Sequence, residues 1–294
     1  MNCSAHCRPR SCHTRCRPLP SGRGRRLSAR CYDGGVGTGP AAAKPAWLAR
    51  LDELREDVFP WAREVVPGLY QVRTRGSRAY LVVDERVTII DTGSPGSGRR
   101  ILEALRELGR SAEDVDTIVI THYHIDHVGG LPELQRHLPA RTAVHAVEAP
   151  FIISDDPLPN PFQHPLLARL TEPFLLRQDP GAARVDLILR DGDELPGLGG
   201  MRIVHAPGHT AGSISVHFPE RGVLLVGDAM QYRFGRLMLP NRLFTQDMRQ
   251  AAESIRKLAE LDFDTLCFSH FRPILRDADK RVREFARSLA VPAP

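Results

Sequence analysis

No apolar run in this 294-residue chain approaches the ~20 residues that a membrane-crossing helix needs. A helical membrane protein is thereby excluded, and no membrane partner is expected. Cysteine is nearly absent where a fold would be: five of six fall in the first 31 residues (Cys3, Cys7, Cys12, Cys16 and Cys31). The sixth, Cys267, sits in an apolar stretch and reads as an inert core thiol. Nothing therefore demands an oxidising compartment, and a cytoplasmic location is expected. Acidic residues are missing from residues 1–31, which hold eight arginines. With that +8 set aside from the overall +5, the rest of the chain carries −3, so the pI of about 9.0 belongs to a tail. A nucleic-acid partner argued from overall charge loses its basis.

The arginine-rich start also lacks the apolar core of a secretory signal, and Arg25-Arg26 lacks the context of a twin-arginine signal. Its C-x3-C spacings, with His6 and His13 nearby, are not those of a common zinc knuckle. Residues 1–44 read as a disordered basic Cys/Arg-rich extension, with an organellar transit segment as the alternative. Residues 45–294 have the hydrophobic and charged content of an ordinary globular domain, long enough to bury a sizeable core.

What is present is concentrated. Thr121-His122-Tyr123-His124-Ile125-Asp126-His127-Val128-Gly129-Gly130 packs three of the chain's twelve histidines and one carboxylate into six residues. It follows Val115–Ile120, a short β-branched apolar run that predicts a buried strand. The cluster therefore falls on a loop leaving a strand end, where rigid scaffolds present functional groups. Imidazole and carboxylate donors suit zinc, iron and manganese. Four donors in one loop are enough for His122 and His124 to serve one ion while Asp126 and His127 serve a second.

Periodicity along the remaining chain predicts an amphipathic leader helix over 46–66, interrupted at Pro60. Short strands follow at 69–72, 79–83 and 87–90, ending at Asp91-Thr92-Gly93, then a helix at 98–108. After the His-rich loop come a helix at 131–138 and a strand at 142–146. His137 and His145 read as residues of that helix and strand rather than ligands. Residues 149–184 hold seven prolines among Phe151, Phe162, Phe174 and several leucines. A stretch this long without clear periodicity reads as a functional loop, and its aromatic content predicts an inserted lid over the site. Strands at 185–189, 201–205, 214–218, 223–226 and 265–268 and helices at 246–261 and 277–289 complete the pattern. His209 in Pro207-Gly208-His209-Thr210, Asp228 in Val226-Gly227-Asp228-Ala229 and His270 in Phe268-Ser269-His270 each stand at or near a predicted strand end.

These blocks, in this order over roughly residues 65 to 275, resemble the signature of the metallo-β-lactamase fold superfamily, in its glyoxalase II-like and lactonase-like branch. The resemblance implies an α/β fold: a four-layer αββα sandwich of two mixed β-sheets with helices on the outer faces. It implies that His122, His124 and His209 hold one ion, that Asp126, His127 and His270 hold another, and that Asp228 bridges them. Asp91 is placed behind the ligands, orienting one of them. Ser269 departs from the pattern, standing where a glycine usually precedes His270. The implied cofactors are two divalent ions, zinc first, with iron or manganese also accepted. The implied chemistry is a water shared by the ions attacking a small ester, lactone or thioester, with Asp126 moving the proton. A mononuclear iron sulfur-dioxygenase and a phosphodiesterase of the same fold are the alternatives.

For substrate binding, Tyr232 and Arg233 follow Asp228 and are expected at the mouth of the site, and Phe151 and Phe162 are expected to reach it from the insert. Tyr232 stands four residues after Asp228, where lactonases carry a tyrosine three after. About 24 residues follow His270, too few for the helical glutathione-cradling domain of glyoxalase II. The expected partner is a small-molecule substrate; a homodimer is compatible with the sequence.

Overall fold

Among the described residues, strand alternation sorts the apolar side chains into three separate cores. The computed structural model describes residues 61–289. Seven strands form the first sheet in sequence order: β1 (Ala62–Val66), β2 (Leu69–Arg73), β3 (Arg78–Val83), β4 (Val87–Ile90), β5 (Val115–Ile120), β6 (Arg141–His145) and β7 (Leu187–Leu189). β1 to β4 pair antiparallel, whereas β4, β5, β6 and β7 pair parallel. The second sheet runs β14-β11-β10-β9-β8, formed by β8 (Glu194–Leu195), β9 (Met201–His205), β10 (Ile214–Phe218), β11 (Val223–Leu225) and β14 (Thr265–Cys267). A separate hairpin pairs β12 (Gln231–Arg233) with β13 (Arg236–Met238).

Neighbouring residues on one strand serve different cores, as a period of two requires. On β5, Val119 faces the second sheet beside Ile90 and Ile203, while Ile118 and Ile120 face helices. Those helices are α1 (Gly98–Glu107), α3 (Leu131–His137) and α4 (Ala149–Ile153), with the single turn α2 (Ile125–Val128) just before α3. On β11, Val223 and Leu225 face the first sheet, while Leu224 and the following Val226 face α6 (Met248–Leu258) and α7 (Ala278–Ser288). The layers are therefore helix, sheet, sheet, helix. Full burial of each such aliphatic side chain is worth about 1.5–3 kcal/mol. These cores fix the strands whose ends carry the site.

Three parts of the sequence reading change. Residues Ala62–Val66 form the edge strand β1 rather than the end of a helix, because β-branched Val65 and Val66 favour extended backbone and the segment pairs with β2 through Ala62, Arg63, Glu64 and Val66, with an irregularity at Val65. The rest of that expected helix, like the extension at 1–44 with its cysteines, lies outside the described residues. The 149–184 segment is more regular than expected: besides α4 it contains α5 (Pro165–Gln178), a helix with Pro173 inside and no buried residue. The short strand β8 and the β12–β13 hairpin have no counterpart in the sequence reading. At two or three residues each, they are too short for alternation to register. Among the described residues, no helix is long and apolar enough to cross a membrane.

Candidate metal centre

The topology delivers the site residues to one place. β9 and β11 both run antiparallel to β10, and β14 runs parallel to β11, so β9, β11 and β14 share a direction. The loops leaving them carry His209, Asp228 and His270. In the other sheet, parallel β4 and β5 deliver Asp91 and the His-rich loop. The two edges are tied together by Ile214 N–H donating to Thr121 O (3.0 Å) and Arg78 N–H donating to Ser269 O (2.7 Å). Gly208, at φ +128°, lets the His209 loop lie against α6; a Cβ there would meet Ala251 N at 2.3 Å.

The side chains fall into two triads. His122, His124 and His209 are all buried, with ring centroids 4.7–4.8 Å apart and edges turned to faces. His209 Nε2 lies 3.0 Å from His124 Nδ1. Asp126, His127 and His270 form the other set, with His270 Nε2 3.4 Å from Asp126 Oδ2 and His127 Nε2 3.8 Å from it. Asp228 reaches both: Oδ1 is 3.7 Å from His127 Nε2, and Oδ2 is 3.5 Å from His209 Nε2 and 3.1 Å from His270 Nε2. All seven expected ligands thus meet, and donor atoms within each group of three lie within 4.8 Å of one another.

A cation fits this donor set. His122 Nε2, His124 Nε2 and His127 Nε2 are buried without a hydrogen-bond partner, a costly state for imidazole unless a ligand completes it. The donors are nitrogen and oxygen, as borderline divalent ions prefer. In the protein alone, burial and the mutual repulsion of the rings hold His122 and His124 well below the usual histidine range. Burial likewise takes His209 down to about 4. His127 goes the other way: burial opposes its charge, but Asp91, Asp126 and Asp228 together lift it to about 10. Burial also works against charge on Asp228, yet His270 and His127 hold its carboxyl far below the carboxylate range.

Two further carboxylates lie behind these residues. Asp91, in a left-handed conformation (φ 61°), accepts from Thr121 N–H through Oδ1 and sets Oδ2 2.8 Å from His127 Nδ1. That is the supporting place expected of it. Glu148, wholly buried in the turn between β6 and α4, is a residue the sequence reading misses. Its one signal is a lone acid in the otherwise uncharged run of residues 146–150.

The centre opens into a cavity of about 400 Å³ lined by His124, Asp126, His209, Asp228 and His270 on one side. Met230, Gln231, Arg233, Asn241, Phe244, Phe271 and Pro161 line the other. Of the four expected substrate contacts, Arg233 lies in this lining. Tyr232 does not: strand alternation turns it away from Gln231 and Arg233, and it stacks on Phe268 at 5.9 Å. Phe151 packs on Tyr123 at 4.7 Å, and Phe162 packs behind Phe244 at 4.8 Å. The 149–184 segment reaches the lining through Pro161. His145 and His205 stack on each other at 4.2 Å, apart from the ligand groups.

A family model described as the metallo-beta-lactamase superfamily matches residues 72–270, a span that includes every residue of both triads. The chain belongs to that superfamily. The probable metallo-hydrolase YflN of Bacillus subtilis is 28% identical over 200 residues, covering 63% of this chain and 75% of that protein. A hydroxyacylglutathione hydrolase of Cereibacter sphaeroides is 31% identical over 197 residues, covering 65% of this chain but only 61% of that enzyme. Among solved structures, a metallo-beta-lactamase family protein from Thermus thermophilus superposes with a TM-score of 0.58 at 26% identity, covering 76% of this chain and 80% of that one. This metallo-beta-lactamase superfamily member is accordingly a mixed α/β protein of a metal-dependent family, and its relatives indicate metallo-hydrolase activity.

Proposed function

We propose that this superfamily member hydrolyses a small ester, lactone or thioester, and that the two triads, with Asp228 reaching toward both, would hold two divalent ions, zinc first among them. The observation that carries this reading is the set of partnerless buried imidazole nitrogens beside carboxylates that open onto a cavity. When bound, such ions polarise a carbonyl oxygen and make water acidic enough to attack near neutral pH. The chain supplies the remaining requirements. Asp126, partly exposed in the cavity wall, is placed to take a proton from attacking water and return it to the leaving atom. Met230, Phe244 and Phe271 exclude water from one side of the substrate, and the amides of Gln231 and Asn241 offer hydrogen bonds to it.

Similarity to hydroxyacylglutathione hydrolases supports placing thioesters first among the candidate substrates. The test is a panel of thioesters, lactones, simple esters, phosphodiesters and β-lactams, run on protein of measured metal content. Turnover of an acyl substrate, abolished by a chelator and restored by a divalent ion, is expected. Metal-replete, folded protein that hydrolyses none of the panel would sink the reading. One iron per chain with oxygen consumed would replace it with an oxygenase.

A further inference from the structure

Glu148 is 0% exposed and takes no part in the chemistry above, yet both of its carboxylate oxygens are engaged. Oε2 accepts from Tyr123 N–H at 2.8 Å; Oε1 accepts from Thr210 Oγ1 at 2.9 Å and from Gly212 N–H at 2.7 Å. Tyr123 is the residue between His122 and His124. Thr210 directly follows His209. One side chain from the turn after β6 therefore grips the chain on both sides of the first triad, joining a loop of one sheet to a loop of the other. The approach is close enough that Gly212 admits no side chain: a Cβ there would meet Glu148 Oε1 at 2.5 Å. A second brace runs alongside, with Gln246 Nε2 donating to Tyr123 Oη at 3.1 Å and Gln246 N–H donating to His209 O at 3.1 Å.

We infer that Glu148 is the positioning residue for the His122, His124 and His209 site, as Asp91 is for His127 in the other. It sets the spacing of three ligands through the residues beside them without touching a ring. The physical reason is the cost of the alternative. Without the carboxylate, Tyr123 N–H and Gly212 N–H become buried donors with no acceptor, and the loops must separate or admit water to satisfy them. Either response moves His209 relative to His122 and His124. Because Asp126, His127 and His270 hang from other contacts, the second site should be spared.

The inference rests on the metal-centre reading above, and the experiment separates the two. Metal-depleted wild type, Glu148→Ala, Glu148→Gln and Asp91→Asn are titrated with cobalt(II) alone. Absorbance reports the coordination geometry and chelator competition gives the affinity of each step. Loss of a group that orients a ligand typically weakens binding about 10–100-fold. A loss of that size in one step, with the other intact, is expected for both Glu148 variants, whereas Asp91→Asn, whose carboxylate holds His127 Nδ1 directly and reaches His122 Nδ1 through Thr121 Oγ1, should weaken both steps. Melting temperatures of the metal-free forms check that each variant is folded. If Glu148→Ala does not accumulate as folded protein, Glu148→Gln and Thr210→Val, which removes one of the three contacts, carry the test. Unchanged binding in folded Glu148 variants overturns the inference alone, as does equal weakening of both steps. Wild type that binds no cobalt overturns the metal-centre reading with it.

Discussion

The two triads are built from nearly the same residue types and held in opposite electrostatic states. His122, His124 and His209 are sealed at 1–5% exposure, carry no carboxylate of their own, and are kept neutral by burial. His127 is as deeply buried, but its partners Asp126 and His270 have side chains 29% and 28% exposed, and three carboxylates draw charge onto its ring. His124 and His209 border the cavity, yet all three imidazoles of the first triad are deeply buried and neutral, which on the proposed reading suits them to holding an ion. The partly exposed Asp126 and His270 would suit the second triad to proton transfer. The difference teaches that metal retention and turnover should separate by triad.

The largest effect expected is from the closed side. His122→Ala removes a donor from the fully buried set and should lower kcat/KM by more than about 10²-fold, since loss of a group that merely orients a ligand already costs about 10–100-fold. Metal content should fall in parallel, measured by elemental analysis against protein concentration. A variant that keeps its metal and its rate would break the comparison. Asp126→Asn is the matched change on the open side. It should cost about 10²–10⁴-fold in kcat, the usual worth of a positioned proton carrier, while the first triad keeps its ion. Metal lost from both sites in Asp126→Asn would show that the triads do not behave separately.

Much of this was legible before any coordinates. The strand Val115–Ile120 and the loop behind it announce themselves because burial on both faces demands an unbroken β-branched run, and a metal loop needs its donors close in sequence. His209, Asp228 and His270 are legible through likeness to the superfamily, since each follows a strand end. Glu148 is not, because two of its three contacts are backbone N–H groups, and a backbone donor leaves no mark in a sequence. Tyr232 misleads for a different reason. Proximity to Asp228 along the chain says nothing of side, and the parity of a three-residue strand turns it toward Phe268 instead of the cavity. Ala62–Val66 misleads because five residues with apolar positions at both ends satisfy a helical and an extended reading equally.

The opposite charge states give the metal-depleted protein a stability maximum between two losses. His209 is depressed to about 4 when folded and returns to about 6.5 when unfolded. Between those values the unfolded chain binds a proton that the folded one refuses, so stability falls as pH drops below about 6.5. His127 is raised to about 10, so its contribution is complete below about 6.5 and is lost as pH climbs through 10. Each histidine contributes a slope of at most about 1.4 kcal/mol per pH unit. Melting temperature against pH should therefore peak near 6.5. Asp91→Asn, which removes the carboxylate acting most strongly on His127, should flatten the alkaline side and leave the acid side. Loss of both limbs together would mean that the two sets do not titrate independently.

The smallest effect expected is at the rim. Arg233 stacks over Phe271 with its guanidinium carbon 5.4 Å from the ring centroid, and Phe271 stands beside His270 at 6.3 Å, so this charge belongs to the open side. Exposed and screened by water, it should contribute about 1 kcal/mol to a substrate carrying a carboxylate and almost nothing to a neutral one. Arg233→Gln should accordingly raise KM roughly 5-fold for anionic substrates, leave kcat alone, and lose its effect in high salt. Steady-state kinetics on a matched pair of charged and neutral esters at two ionic strengths measures this. Equal changes for both esters would mean that Arg233 shapes the wall through Phe271 instead of attracting charge, and the working side would then owe its selectivity to packing.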